Sequence, residues 1–209
     1  PLYYMARITR GFEITDDLVI DLGAHARFGS IPSNSLQVME GATDRYDTTS
    51  AKAGDAISRT WFGGEMQLYW DFLGGAKLLG EFITGSDADY LGVAGKTAPS
   101  SKPVYKRNFM GYYVMLVKNL GFIPELEDFQ VAAKYDYYNP NTKIDHEKKT
   151  FKNNSELEST VIGFGLHNYS FQNVRLSVWY DMKKTKEQET LLKTAPIDNQ
   201  LTLRLQYKF

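Results

Sequence analysis

The last residues of the chain, 199–209, read NQLTLRLQYKF and alternate apolar with polar side chains. Because successive side chains of a strand point to opposite faces, this stretch predicts a strand with one apolar face and one partly charged face. A tilted strand of roughly ten residues is long enough to cross a bilayer. An amphipathic strand of a soluble sandwich would show the same alternation, so the other strands must decide between the two interpretations.

The composition excludes several classes of protein. The 209 residues include no Cys, which excludes a disulfide scaffold and thiolate metal sites. No run of about 18 apolar residues is present, so the sequence contains no transmembrane helix. The formal charge of -1 argues against a nucleic-acid partner. The 14 Tyr and 12 Phe fit a barrel whose strands carry aromatic residues where the membrane meets water.

The same alternation recurs along the chain and predicts about nine strands in one domain, residues 1–209. The predicted strands are 3–12, 18–29, 59–72, 76–85, 107–119, 129–137, 160–169, 174–183 and 199–209. Connections are short after Phe12, Phe72, Leu120 and Tyr169, and long after Gly29, Gly85, Asn139 and Lys184. This alternation is typical of an antiparallel up-and-down meander that crosses a bilayer, whereas a Greek-key sandwich gives no reason for it.

Aromatic residues lie near the ends of the predicted apolar faces. They are Phe12, Phe28, Phe62, Trp70, Phe72, Phe82, Phe129, Tyr137, Tyr180, Tyr207 and Phe209. Aromatic rings favour the boundary between membrane and water. We therefore expect an all-β fold, a transmembrane antiparallel up-and-down β-barrel in a bacterial outer membrane.

The strand count bears on whether the barrel is complete. Single-chain bacterial barrels have an even number of strands and begin and end in the periplasm, whereas nine strands ending there place Pro1 outside. The count therefore predicts missing upstream strands. Alternatively, Leu36–Met39 marks a tenth strand that closes a small barrel, which would place the tight Thr15–Asp17 turn on the outside.

Six stretches carry a resemblance to a known family. They are FGGEMQL at 62–68, LGEFITG at 79–85, GYYVML at 111–116, AKYDYYNPNT at 133–142, NVRL at 173–176 and LRLQYKF at 203–209. Over residues 58–209 the chain resembles the carboxyl-terminal half of the phosphate-selective porin O and P family. The resemblance implies a barrel of about sixteen strands, usually trimeric, through which small anionic or other hydrophilic solutes diffuse. The family's arginine ladder and lysine cluster match no residues here, so selectivity for phosphate is left open.

The polar faces of the predicted strands carry ten basic and six acidic side chains, Lys118 among the basic ones. A positive surplus on the wall of a narrow water column predicts a mild preference for anions. The predicted pore-lining residues are Arg7, Arg27, Arg59, Glu65, Lys77, Glu81, Lys134, Arg175, Arg204 and Lys208. The expected partners are outer-membrane lipid and small solutes, and no cofactor, metal or nucleic acid is expected.

Two other functions stay open. The first is a structural or partner-binding barrel in an envelope complex. The second is an outer-membrane hydrolase, because Asp145-His146-Glu147 places a His beside acids and His25 and His167 fall on polar faces. A finer prediction concerns Leu73–Gly75, which as a three-residue turn would place Asp71 beside Lys77 as an ion pair.

Overall fold

The computed structural model describes residues 3–33, 35–41, 46–71, 73–90, 103–143, 158–171, 173–185 and 199–207. Eleven strands form one sheet. They are β1 (Tyr3–Thr15), β2 (Leu18–Pro32), β3 (Gln37–Gly41), β4 (Tyr46–Ser50), β5 (Ala56–Trp70), β6 (Ala76–Tyr90), β7 (Val104–Asn119), β8 (Phe129–Asn139), β9 (Ser159–Phe171), β10 (Val174–Thr185) and β11 (Gln200–Tyr207). Among the described residues one 3-10 turn lies at Pro124–Leu126, and no helix is long and apolar enough to cross a membrane.

Nine of the strands pair antiparallel with their neighbours in chain order, skipping only the β3–β4 hairpin. Short turns join them at one end and long connections at the other, which confirms the predicted all-β up-and-down meander. The sheet is open: within the described residues β1 pairs only with β2, and β11 only with β10. Closure into a barrel therefore stays a prediction.

The register gives the meander two distinct faces. On the apolar face, Leu68, Leu78 and Leu116 lie side by side on β5, β6 and β7. On the polar face, Glu65 and Glu81 are direct neighbours on β5 and β6. Apolar side chains on the first face are widely exposed, Leu203 at 70% among them. An exposed apolar surface that covers a whole sheet face marks contact with a membrane or another protein.

Aromatic rings border the apolar face. Toward the long connections, Phe28 and Phe62 meet edge to face with 5.5 Å between ring centroids. Beside them on the sheet, Tyr112 lies 5.3 Å from Tyr137. Toward the short turns, Trp70 is 46% exposed. Two aromatic borders thus enclose a middle band of aliphatic side chains.

Several strands extend beyond their predicted ends at the side of the long connections. Strand β6 runs on to Tyr90 and β7 begins at Val104, within a stretch predicted as loop. Ala88 and Val104 are fully buried there, in a small cluster with Ile57. The residues at 86–89 are small or polar, so their strand character comes from pairing with a neighbouring strand rather than from their own alternation.

The hairpin of β3 and β4 lies in the connection between β2 and β5. Strand β3 pairs antiparallel with β4 and parallel with the start of β7, where Val38 is opposite Val104. Val38 and Ile31 pack against the cluster around Ile57. The alternative of a tenth crossing strand at Leu36–Met39 is wrong, since this strand has five residues and pairs with neither β2 nor β5.

The β5–β6 turn corrects a second prediction. Trp70 pairs with Ala76 and Tyr69 with Lys77, so the connection spans five residues rather than three. Leu73 has a φ of 47° and Gly74 of 83°, a left-handed path that widens the turn. The predicted Asp71–Lys77 ion pair is therefore wrong, and Lys77 lies over the ring of Tyr69 instead.

Two basic residues lie on the apolar face near the short turns. Lys118 pairs in register with Ala76, which corrects its predicted place on the polar face. Its ammonium donates to the carbonyls of Leu73 and Gly75 at 2.5 and 3.2 Å. Arg10 pairs with Leu22 and its guanidinium lies 5.7 Å from the ring centre of Phe12. Both are long side chains close to a strand end, where a charged head reaches polar surroundings.

Candidate functional site

The structure places nine of the ten residues predicted to line a pore on the polar face of the meander. These are Arg7, Arg27, Arg59, Glu65, Lys77, Glu81, Lys134, Arg175 and Arg204. Lys208 lies outside the described residues. The nine come from seven strands, and strand alternation alone brings them to one surface.

Three groups of side chains on this face each contain basic and acidic residues that neutralise one another. Arg7 donates from Nε and Nη2 to one Glu65 oxygen at 2.8 and 2.5 Å. Arg59 pairs with Asp87 at 2.5 Å. These pairs tie together strands that are not always neighbours, because β2 lies between β1 and β5.

Lys134 forms the third group. Its ammonium lies 3.1 Å from Asp136 and 3.2 Å from Asp181. The Trp179 indole donates to the same Asp181 carboxylate at 2.6 Å. Gly163 provides the space, since a side chain there would collide with Asp181 and Lys134.

Other cations on the polar face contact aromatic rings instead of carboxylates. The Arg27 guanidinium lies between Tyr3 and Trp61, 4.4 and 4.5 Å from the two ring centres. Arg175 lies 5.3 Å from the ring centre of Tyr169. Within the described residues, Arg27, Arg175 and Arg204 form no ion pair. The rings hold the guanidinium groups of Arg27 and Arg175 in position without neutralising their charge.

The charge balance of the polar face is less positive than the sequence predicted. The described side chains give nine basic and seven acidic residues: Arg7, Arg27, Arg59, Lys77, Arg107, Lys134, Arg175, Lys183 and Arg204 against Glu13, Asp21, Glu65, Glu81, Asp87, Asp136 and Asp181. The surplus is two, compared with the predicted four. Arg107 joins the basic residues, whereas Lys118 lies on the other face and Lys208 lies outside the described residues. Glu13 and Asp87 join the acids, and Asp71 lies in the β5–β6 turn.

Arg27 lies on β2, whereas Arg175 and Arg204 lie near the other edge of the sheet. Arg175 and Arg204 border a recess of about 560 Å³ on the polar face, where the sheet curls so that β6 and β7 face β10 and β11. We call it the β6–β11 recess, and its main residues are Leu79, Met115, Lys134, Arg175, Trp179 and Arg204. A smaller recess near β1 contains Arg7, Asp21 and Glu65 and has no positive surplus.

Within the described residues, neither His25 nor His167 belongs to a recognisable catalytic centre. His167 Nδ1 and the Ser177 hydroxyl are 2.9 Å apart, both buried, and the imidazole stacks on Trp179. None of the described carboxylates hydrogen-bonds to His167, whereas a nucleophilic Ser works with a His that a third group orients. His25 lies 3.8 Å from Glu81. Asp145-His146-Glu147 lies outside the described residues.

The aromatic partners of the basic residues were missed by sequence reasoning. Tyr3, Trp61, Tyr169 and Trp179 lie on the polar face, whereas aromatic residues were expected at the apolar one. A signal did exist: Trp61 and Trp179 occupy polar-face positions in the alternation of their own strands. Comparison with protein-family models, curated proteins and solved structures found no match to this chain.

Proposed function

We propose that the chain forms the wall of an outer-membrane diffusion channel for small hydrophilic solutes, with a mild preference for anions. The observation that carries the proposal is the pair of opposed faces: one continuous, exposed and apolar, the other charged. A strand that crosses a bilayer beside a water column needs this division along its whole length. The alternation of short and long connections also supports strands that cross a bilayer, with the short turns on one side and the long connections on the other.

The aromatic borders and the two basic residues of the apolar face also support a membrane. Rings such as Phe28, Phe62 and Trp70 mark the boundaries with water, and Arg10 and Lys118 lie close to one of them. Within a bilayer every backbone polar group needs a partner. The proposal therefore requires the free edges of β1 and β11 to be paired in the membrane.

The anion preference rests on which charges are neutralised. The carboxylates of Glu65, Asp87 and Asp181 are held in ion pairs, whereas Arg27, Arg175 and Arg204 keep an uncompensated charge. Such charges raise the local concentration of anions in a narrow water column. The β3–β4 hairpin supports a narrowed channel entrance. It packs together with Ile31 at the end of the sheet where the long connections lie.

The resemblance to the phosphate-selective porin O and P family supports a trimeric passive channel in a Gram-negative outer membrane rather than an enzyme. Phosphate is one candidate solute by that resemblance. The competing proposal is a structural or partner-binding barrel in the envelope, with a polar face that conducts nothing.

Conductance in planar bilayers separates the two proposals. Under a salt gradient, we expect a reversal potential that favours anions. Replacing Arg27, Arg175 and Arg204 together with Gln should shift that potential toward cations. The matched control replaces Arg10, Lys52 and Lys184, three cations away from the polar face, and should leave it unchanged. Absence of conductance, or equal shifts in both variants, would favour the structural barrel.

A further inference from the structure

The β6–β11 recess has one apolar wall although it lies on the polar face. Leu79 and Met115 are direct neighbours on β6 and β7, and Val117 lies two residues further along β7. All three are half-buried and border the recess. Side chains whose only task is to hydrate a channel wall would not be aliphatic at three adjacent positions.

The opposite wall is basic. Arg175 and Arg204 lie on β10 and β11, and Gln206 pairs directly with Arg175. The Nε of Arg175 is shielded from solvent and has no hydrogen-bond partner. Lys134 behaves differently, because Asp136 and Asp181 neutralise it. The two free guanidinium groups of the recess therefore lie on the β10–β11 side, opposite the apolar wall. A third cation without a carboxylate partner among the described residues, Lys77, lies at the edge of the apolar wall, where its ammonium is over the Tyr69 ring.

We propose that this recess binds organic anions with a small apolar body, that is, short-chain aliphatic or aromatic carboxylates, as they pass through the channel. The carboxylate contacts Arg175 and Arg204, and the hydrocarbon lies against Leu79, Met115 and the Trp179 ring. A recess of about 560 Å³ is of the size that accommodates a small organic molecule. The assignment deepens the proposed channel function and rests on it.

An inorganic anion would use only half of this recess. Phosphate or chloride contacts the basic wall and leaves the apolar wall in contact with water. Each methylene buried against that wall strengthens binding about fourfold, at about 0.8 kcal/mol per methylene. Affinity in the recess should therefore rise with chain length among carboxylates of equal charge, and hexanoate should bind at least about tenfold more tightly than acetate.

Trp179 reports binding directly, without any need for conductance. Trp61→Phe and Trp70→Phe together leave it as the sole Trp of the three in the chain. With the protein in zwitterionic nanodiscs, hexanoate should change the Trp179 emission at concentrations at least about tenfold lower than acetate or phosphate. Hexylamine, which has the same body and the opposite charge, should not change it.

Two variants test which wall of the recess binds the carboxylate and which binds the hydrocarbon. Arg204→Gln should weaken hexanoate and acetate alike, whereas Met115→Gln should weaken hexanoate and leave acetate unchanged. Arg7→Gln, in the other recess, should affect neither. Circular dichroism checks that each variant is folded, and Leu79→Asn provides a second test of the apolar wall.

The outcomes separate the recess from the channel. Binding of hexanoate in a protein that does not conduct would retain the recess and overturn the channel. Conductance with equal responses to hexanoate and acetate, or with no Trp179 response, would retain the channel and overturn the recess. A phosphate response as sensitive as that to hexanoate would also overturn the assignment to amphipathic anions.

Discussion

The two faces of the meander are built by the same strands, yet they are organised by different rules. On the apolar face, Leu203 and its neighbours are largely exposed and need only be apolar. On the polar face, Glu65, Lys134 and Trp179 each have named partners at defined distances. The apolar face is specified by its exposed apolar surface, and the polar face by pairwise contacts between side chains. Substitutions should therefore lower the stability for different reasons on the two faces.

A charge in the middle of the apolar face should have the largest effect. Leu203 lies at the centre of β11 and is 70% exposed. In a bilayer, Leu203→Arg should lower the free energy of unfolding by about 2–4 kcal/mol, because the guanidinium enters hydrocarbon. Denaturant unfolding from phospholipid vesicles measures it. Gln206→Lys, on the polar face of the same strand, is the control, and equal losses in both variants would refute the assignment of the faces.

Added bulk tests the polar face in turn. A side chain at Gly165 would collide with the Trp179 ring, whereas at Gly80, on the apolar face, the nearest atom lies 3.4 Å away. Gly165→Ala should therefore cost about 1–3 kcal/mol by overpacking and alter the Trp179 emission. Gly80→Ala should be close to neutral. If Gly165→Ala leaves both stability and emission unchanged, the ring does not occupy that space.

A substitution of Lys118 tests whether its hydrogen bonds to the turn explain the presence of a cation on the apolar face. Its ammonium bonds two turn carbonyls, so Lys118→Met should lower the free energy of unfolding by about 0.5–1.5 kcal/mol. Arg10 has no described hydrogen bond to lose, and Arg10→Met should be neutral or stabilising. A stabilising Lys118→Met would mean that removing a charge from lipid outweighs the loss of the turn contacts.

The hairpin gives the smallest expected effect. Lys143 donates to Glu40 at 2.7 Å, which lowers the pKa of that carboxyl below its ordinary value of 4.5; the nearby charge of Lys106 acts in the same direction. Since the folded pKa is the lower one, the stabilisation is present above about pH 4.5 and is lost as the pH falls through the folded pKa. The pair is partly exposed and contributes at most about 1 kcal/mol.

Melting temperatures between pH 3 and pH 7, compared for the wild-type chain and Glu40→Gln, measure this term. The two curves should converge at the acidic end and separate above it. A constant difference at every pH would show that the hydrogen bond, and not the charge, matters at this position.

The sequence predicted the faces better than the contacts. Alternation placed nine candidate residues on one surface because the period of two is a property of the strand itself. It could not predict the Arg27 contacts with Tyr3 and Trp61, since these depend on the register of three strands. The Asp71–Lys77 prediction was wrong for a related reason: the turn length sets the register, and the sequence alone did not reveal five residues.

Strand ends were also poorly predicted at the side of the long connections. Residues 86–90 and 104–106 lack apolar alternation, and they are strand because each segment pairs with the other. Strand β3 was recognised at nearly the right position, but its partner on β7 was not. A pairing between residues more than sixty positions apart leaves no local signal.

That distant pairing leads us to expect an order of assembly. Along the chain, β4, β5 and β6 separate Val38 from its parallel neighbour Val104. Local antiparallel pairs close cheaply, whereas a contact across so many residues forms late because loop closure must precede it. Pairing of the hairpin with β7 is thus expected to be a late step of folding. During refolding, protection of the β3 amides against hydrogen exchange should appear after protection of the meander strands. It would show that the strands next to the hairpin have already paired.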